Sequence, residues 1–132
     1  MIVVDTNIMV YLLIGGPSGP DATQLLERDP LWAAPGILLS ELRNALASFV
    51  RRDALSPEHA EVMCADAVEV LGDRVFTVPS TDVLDTALAC GLSAYDAEFV
   101  VLARQLDVPL VTADREILRS ATDVAVSLVD LS

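Results

Sequence analysis

Four carboxylates, Asp5, Glu41, Asp96 and Asp114, stand where an acid could do chemistry. Asp5 closes the apolar run Ile2-Val3-Val4, and Thr6-Asn7 follows it. Asp114 follows the apolar run Val108-Pro109-Leu110-Val111 through Thr112-Ala113. A buried strand reads as a short unbroken apolar run, because both of its faces are covered. An acid at the carboxyl end of such a strand, just before a helix, stands where open α/β sheets bind ligands. Glu41 and Asp96 instead edge the apolar stripes of two helices. Each acid also has an ordinary role open to it. Asp5 and Asp114 can cap the helices that follow them, Glu41 can be a boundary glutamate, and Asp96 can be the acidic half of a capping box with Ser93.

The rest of the composition narrows the chemistry. All eight basic residues are arginine, so no lysine is present to serve a P-loop, a receiver domain, a Schiff base or a dehalogenase-type phosphatase. The one histidine, His59, lies in Ser56-Pro57-Glu58-His59, a helix-opening pattern that puts it on an exposed first turn. Acid–base work therefore falls to carboxylates, or to metal held by them. Four carboxylates around one crevice repel strongly, since two unit charges ~4 Å apart cost about 4 kcal/mol at an effective dielectric of ~20. Such a site needs protons or a cation, and all-oxygen ligands favour Mg2+ or Mn2+. Thr112 is placed to orient a carboxylate or a metal-bound water.

The elements that position these acids alternate between strand and helix. Thr6 and Asn7 are helix-cap types that open a buried helix to about Ile14, and Gly15 to Pro20 is a loop. A second helix spans Asp21 to Arg28, and Leu31 to Ala34 is a short strand closed by Pro35-Gly36. The spacing of Leu38, Leu42, Ala45, Leu46, Phe49 and Val50 predicts a helix over Ile37 to Arg52, with Glu41 beside the stripe and Arg43 on the outer face. The helix after Ser56 runs to Leu71 and forms a hairpin with it. A strand at Arg74 to Val78 and a helix from Pro79 to Cys90 follow. Tyr95, Phe99, Leu102, Ala103 and Leu106 mark another helical stripe, with Glu98 on the surface side. Strand Val108 to Val111, helix Arg115 to Arg119 and strand Ala125 to Val129 complete the chain. The alternation predicts a parallel sheet with helices on both faces.

The length of 132 residues fits one domain over 1–132, long enough to bury a core. The apolar share of 53% exceeds the usual ~45–50%, which points to a subunit interface and a homodimer. No apolar run approaches the ~18 residues of a membrane span, and Asp5 stands where a signal peptide would be basic, so a cytoplasmic protein is expected. Cys64 and Cys90 are expected reduced and buried. A net charge of −12 argues against sequence-independent adhesion to nucleic acid, unless carboxylates are neutralised by divalent metal.

The set Val4-Asp5-Thr6-Asn7, Ser40-Glu41, Tyr95-Asp96-Ala97 and Val111-Thr112-Ala113-Asp114-Arg115 resembles the PIN domain, in particular the VapC-type ribonuclease toxins of bacterial toxin–antitoxin pairs. The resemblance spans nearly the whole chain. It implies a three-layer α/β/α fold and a metal-dependent endoribonuclease. Asp5, Glu41, Asp96 and Asp114 would be its acidic metal-binding quartet, supported by Asn7 and Thr112. It also implies a cognate antitoxin that docks near the active-site groove, and the helical hairpin over residues 37–71 is a candidate surface for it. Arg43 or Arg115 would hold RNA phosphate, and Glu116 stands near enough to assist. The expected reaction is phosphodiester hydrolysis assisted by one or two Mg2+ or Mn2+. Two other readings fit the residues. One is a PIN nuclease of RNA processing, which would lack a small antitoxin-like reading frame upstream. The other is a non-catalytic acidic module that binds a protein. An aspartyl-nucleophile phosphatase is disfavoured by Asn7 and by the missing lysine.

Overall fold

The shortest apolar runs of the chain become its sheet. In the computed structural model, which describes residues 1–131, β1 (Ile2–Val4), β2 (Trp32–Pro35), β3 (Val75–Phe76), β4 (Leu110–Thr112) and β5 (Ala125–Ser127) form one parallel sheet. The strand order is β3-β2-β1-β4-β5. In register, Val3 stands between Ala33 of β2 and Leu110 of β4. The three central strands are buried along their whole length, as unbroken apolar runs require.

The helices are α1 (Thr6–Ile14), α2 (Gly19–Arg28), α3 (Ile37–Arg51), α4 (Pro57–Leu71), α5 (Ser80–Cys90), α6 (Ala94–Leu106), α7 (Arg115–Ser120) and α8 (Leu128–Leu131). Helices α1, α3 and α4 pack on one another, while α6 lies against β1, β2 and β4 with α5 over it, giving the expected three-layer α/β/α arrangement. The buried stripe of α3 is Leu38, Leu42 and Leu46, at i, i+4 and i+8. Ser56 caps α4 by accepting from the His59 amide, with Pro57 in the first turn. No single described helix is long and apolar enough to cross a membrane.

This topology sets where a ligand can go. From β1 the chain moves outward to β2 and β3, then returns to β4 on the other side of β1. The reversal opens a crevice at the carboxyl ends of β1 and β4, the position at which open α/β sheets bind ligands. Asp5 follows β1 and Asp114 follows β4, so both stand there.

Several boundaries differ from expectation. Thr6 and Asn7, read as cap types, fall inside α1, while Asp5 fills the capping role open to it by accepting from the Thr6 amide. Helix α2 starts earlier, at Gly19, with Pro20 in its first turn. Strand β3 is only Val75–Phe76, since it pairs with β2 alone at the sheet edge. Leu128 and Val129, read as the end of the last strand, instead open α8 (Leu128–Leu131), which packs against α2. Tyr95 is exposed rather than in the stripe, because it lies in the first turn of α6, before the stretch Phe99–Ala103 that meets the sheet. Cys64 and Cys90 are free thiols and only half-buried.

Candidate functional site

Asp5, Glu41, Asp96 and Asp114 all line one cleft, of about 240 Å3, at the carboxyl edge of the sheet. Asp5 arrives at the end of β1, Asp114 after β4, Glu41 from the second turn of α3, and Asp96 from the first turn of α6. Asn7 lines the same cleft.

Hydrogen bonds hold these acids in different ways. The buried Asp5 accepts from the Thr6 amide at 2.7 Å through Oδ1 and from the Thr112 hydroxyl at 2.8 Å through Oδ2. Thr112 is fully buried, and its hydroxyl also accepts from the Asp114 amide at 3.0 Å, so one side chain links both strand ends. The Thr6 hydroxyl donates to Glu41 Oε1 at 2.7 Å across to α3. Asp114 caps α7 by accepting from the Glu116 and Ile117 amides at 2.8 and 3.2 Å, both through Oδ1. Asp96 donates its amide to the Ser93 hydroxyl, as the capping pattern requires. The capping roles and the cleft are therefore compatible, because a cap uses one oxygen of a carboxylate. Among the described residues, Asp114 Oδ2 and Glu41 Oε2 accept no hydrogen bond.

The electrostatics are those of uncompensated acid. Burial pushes Asp5 up from 3.8 to about 6, against the hydrogen bonds from Thr112 and Thr6, with the charges of Asp96 and Glu41 adding to the rise. Asp96 is also raised, first by burial and then by the charges of Asp114 and Glu41. No ion pair among the described residues reaches any of the four.

Among the described residues, no three His, Cys, Asp or Glu side chains converge tightly enough to cage a divalent cation as they stand. Three of the four cleft acids are anchored separately, Glu41 to Thr6, Asp5 to Thr112 and Asp114 to the α7 amides. The chemistry of the donors does fit: the oxygens are hard, the charge has no counter-ion, and Asp5 is buried at a cost that a cation would offset.

Some residues lie elsewhere than expected or carry unexpected contacts. Arg43 is exposed, donates to the Leu39 carbonyl, and lines a groove between α3 and α4 rather than this cleft. Arg115 is exposed and next to Asp114 at the start of α7. Glu116 is exposed and forms an ion pair with Arg119. Glu98, expected on the surface, is half-buried, and burial together with the charge of Glu41 raises its pKa. His59 is exposed on α4, away from the cleft. Two cleft residues were missed. Thr6 was read only as a cap, and Asn44 lies three residues beyond Glu41 on α3, a spacing that itself puts both on one face.

Residues 2–122 match the family model described as PIN domain. Ribonuclease VapC1 of Mycobacterium tuberculosis is 30% identical over 112 residues, covering 85% of this chain and 84% of that protein. Among solved structures, PAE2754 from Pyrobaculum aerophilum superimposes with a TM-score of 0.79 at 22% identity, covering 98% of this chain and 85% of the other. A toxin–antitoxin complex from Klebsiella pneumoniae gives 0.65 at 21% identity, covering 89% and 90%.

Proposed function

The chain belongs to the PIN-domain family, and on that premise we propose that it is a divalent-metal-dependent endoribonuclease and the toxin of a VapBC-type toxin–antitoxin pair. The observation that carries this reading is the cleft at the β1 and β4 strand ends, which four carboxylates line without a counter-ion among the described residues and where burial raises Asp5 to about 6. The ribonuclease relative at 30% identity supports it.

Asp5, Glu41, Asp96 and Asp114 are the groups that would hold Mg2+ or Mn2+. The ion supplies, when bound, a polarised water at neutral pH and positive charge for the leaving oxygen of a phosphodiester. The chain's own residues supply position. Thr112 fixes the rotation of Asp5, and Thr6 does the same for Glu41. Asn7 and Asn44 bring amide donors to the cleft, suited to phosphate oxygens. Arg115, exposed beside Asp114, is the arginine assigned to RNA phosphate, because Arg43 lines a different groove. With a net charge of −12, RNA binding should be weak until metal is present.

The same reading includes a cognate antitoxin, a homodimer and a cytoplasmic setting. The groove between α3 and α4, of about 570 Å3, is walled by Leu46, Ala47, Val50 and Ala60 and bordered by Arg43 and Arg51, which suits an amphipathic helix of a protein partner. Leu84 and Leu88, one turn apart on α5 and mostly exposed, are the apolar surface assigned to the homodimer.

The test is cleavage of purified total RNA by wild type and Asp96→Asn, in Mg2+ or Mn2+ and in EDTA. Discrete metal-dependent products from the wild type alone are expected. Equal cleavage by both proteins, or cleavage that survives EDTA, would contradict the assignment.

A further inference from the structure

Asn44 stands at the centre of the 15-residue helix α3 and lines the acidic cleft, three residues beyond Glu41. It is exposed, and among the described residues its side chain makes no hydrogen bond. Asparagine is a poor helix former away from the caps, because its amide competes for nearby backbone groups. At this position it weakens the helix and gains no contact in return. The fold gives no reason for an asparagine here, whereas the cleft does. The four carboxylates of the cleft accept hydrogen bonds and, once ionised, cannot donate. The Thr6 hydroxyl gives its proton to Glu41, and Ala45 has no polar side-chain atom. Only Asn7 and Asn44 bring the cleft a side-chain N–H donor and a carbonyl acceptor together. Asn7 directly follows Asp5 and Thr6. Asn44 is set off from Glu41 by about 4.5 Å along the helix axis, the scale of one sugar from its phosphate. Ala45 beside it carries only a methyl, which leaves that part of the wall open to a sugar ring.

We infer that Asn44 binds the ribose 2′-hydroxyl of a nucleotide next to the scissile phosphate, and that this contact selects RNA over DNA at the site. The inference rests on the ribonuclease reading and extends it to the sugar. The 2′-hydroxyl is both donor and acceptor, and it is the group by which a protein tells RNA from DNA. The amide of Asn44 matches it. Its Oδ1 accepts the hydroxyl proton, and its Nδ2 remains to donate to the neighbouring phosphate oxygen. A carboxylate could take the same proton, but on the ribonuclease reading the four acids are engaged by the cation. A neutral amide also adds no charge to a cleft that already carries four acids.

The test compares cleavage, in Mn2+, of a target RNA mapped from total RNA with copies that carry one 2′-deoxynucleotide at each position flanking the cut. Wild type should lose about five- to tenfold in kcat/KM at one of those positions. Asn44→Ala should cleave the all-ribose target about as poorly as wild type cleaves that deoxy copy, and should lose nothing further on the copy, since both changes remove one contact. Asn7→Ala should keep the deoxy sensitivity. Two readouts besides activity separate this role from a structural or metal-binding one. Asn44→Ala should melt at or above the wild-type temperature, and its Mn2+ affinity by calorimetry should be unchanged. Metal-dependent cleavage indifferent to every 2′-deoxy substitution, or a sensitivity that survives in Asn44→Ala, would overturn the inference alone. A lower melting temperature or a weaker Mn2+ affinity of Asn44→Ala would do the same. Absence of metal-dependent cleavage of all RNA by the wild type would overturn the ribonuclease reading and this assignment with it.

Discussion

Two edges of the same sheet treat their acids in opposite ways. At the amino edge, Asp123 stands just before β5 and takes two hydrogen bonds from the Arg104 guanidinium, at 2.9 and 3.0 Å. That pairing, chiefly the hydrogen bond, holds its pKa below the ordinary value. At the carboxyl edge, Asp5 and Asp96 are raised, with burial as the first cause and neighbouring carboxylates adding to it. The chain has eight arginines and uses one to neutralise Asp123, yet none forms an ion pair with the four cleft acids among the described residues. Asp123 is compensated within the fold. The cleft acids have no such partner among the described residues, and that contrast is what marks them as the candidate site.

The contrast is broken most severely by removing cleft charge. Asp114→Asn or Asp96→Asn should lower metal-dependent RNA cleavage by about a hundredfold or more, since on the proposed reading each would remove a charged oxygen ligand. Asp123→Asn should leave the initial rate within about twofold, measured on the same RNA. If all three variants lose activity alike, the distinction between the edges fails.

Thr112→Val sharpens the contrast without touching charge. It removes the hydroxyl that fixes Asp5 and accepts from the Asp114 amide. An expected loss of about 10–100-fold in cleavage, with the affinity for Mn2+ reduced, would mark Thr112 as a positioning residue. Unchanged metal affinity would count against that role.

Stability should move in opposite directions at the two edges. Asp5 has a folded pKa of about 6 against an ordinary 3.8, so the folded state binds more protons than the unfolded one between those values. Metal-free stability should therefore fall as pH rises through that window, by about 3 kcal/mol from this group, or ~1.4 kcal/mol per pK unit. Asp5→Asn should flatten the fall. It should melt higher than wild type at pH 7.5 without metal, by roughly 1–3 kcal/mol, the lower end reflecting an amide donor in place of one acceptor oxygen. Denaturant titration across pH 4 to 7.5 checks both points. A lower stability of Asp5→Asn at pH 7.5 would contradict the account.

The smallest effect belongs to the amino edge. Asp123 has a lowered pKa, so its stabilisation is present above the ordinary carboxylate value and is lost as pH falls through the folded pKa. The pair is partly exposed, with Arg104 at 38% and Asp123 at 55%, so solvent screening limits Asp123→Asn to about 0.2–1 kcal/mol. A thermal melt at neutral pH and low salt would read it, and the effect should shrink in high salt.

Much of this was legible from residue types. The apolar run before Asp5 and the one before Thr112 had to be buried strands, and a parallel sheet puts both ends on one edge. The i, i+4, i+8 leucines of α3 likewise fixed the face that carries Glu41. What escaped depends on partners distant in sequence. The Thr6–Glu41 bond spans 35 residues. That Thr112 orients a carboxylate was legible, and its hydrogen bond to Asp5 agrees with it, but which carboxylate, 107 residues away, was not. Asn44 could have been found from its spacing to Glu41. Glu98 could not, because its half-burial comes from the packing of α5 over α6. Local pattern also favoured a strand at Leu128 and Val129, where contact with α2 favours a helical turn.

The most direct test of the central claim is calorimetric titration of Mn2+ into metal-free wild type, Asp96→Asn and Asp123→Asn at pH 7.5. Binding to wild type and Asp123→Asn, with at least tenfold weaker binding to Asp96→Asn, is the expected result. No binding to wild type, or equal binding to all three, would show that the uncompensated acids at the carboxyl edge do not hold a divalent cation.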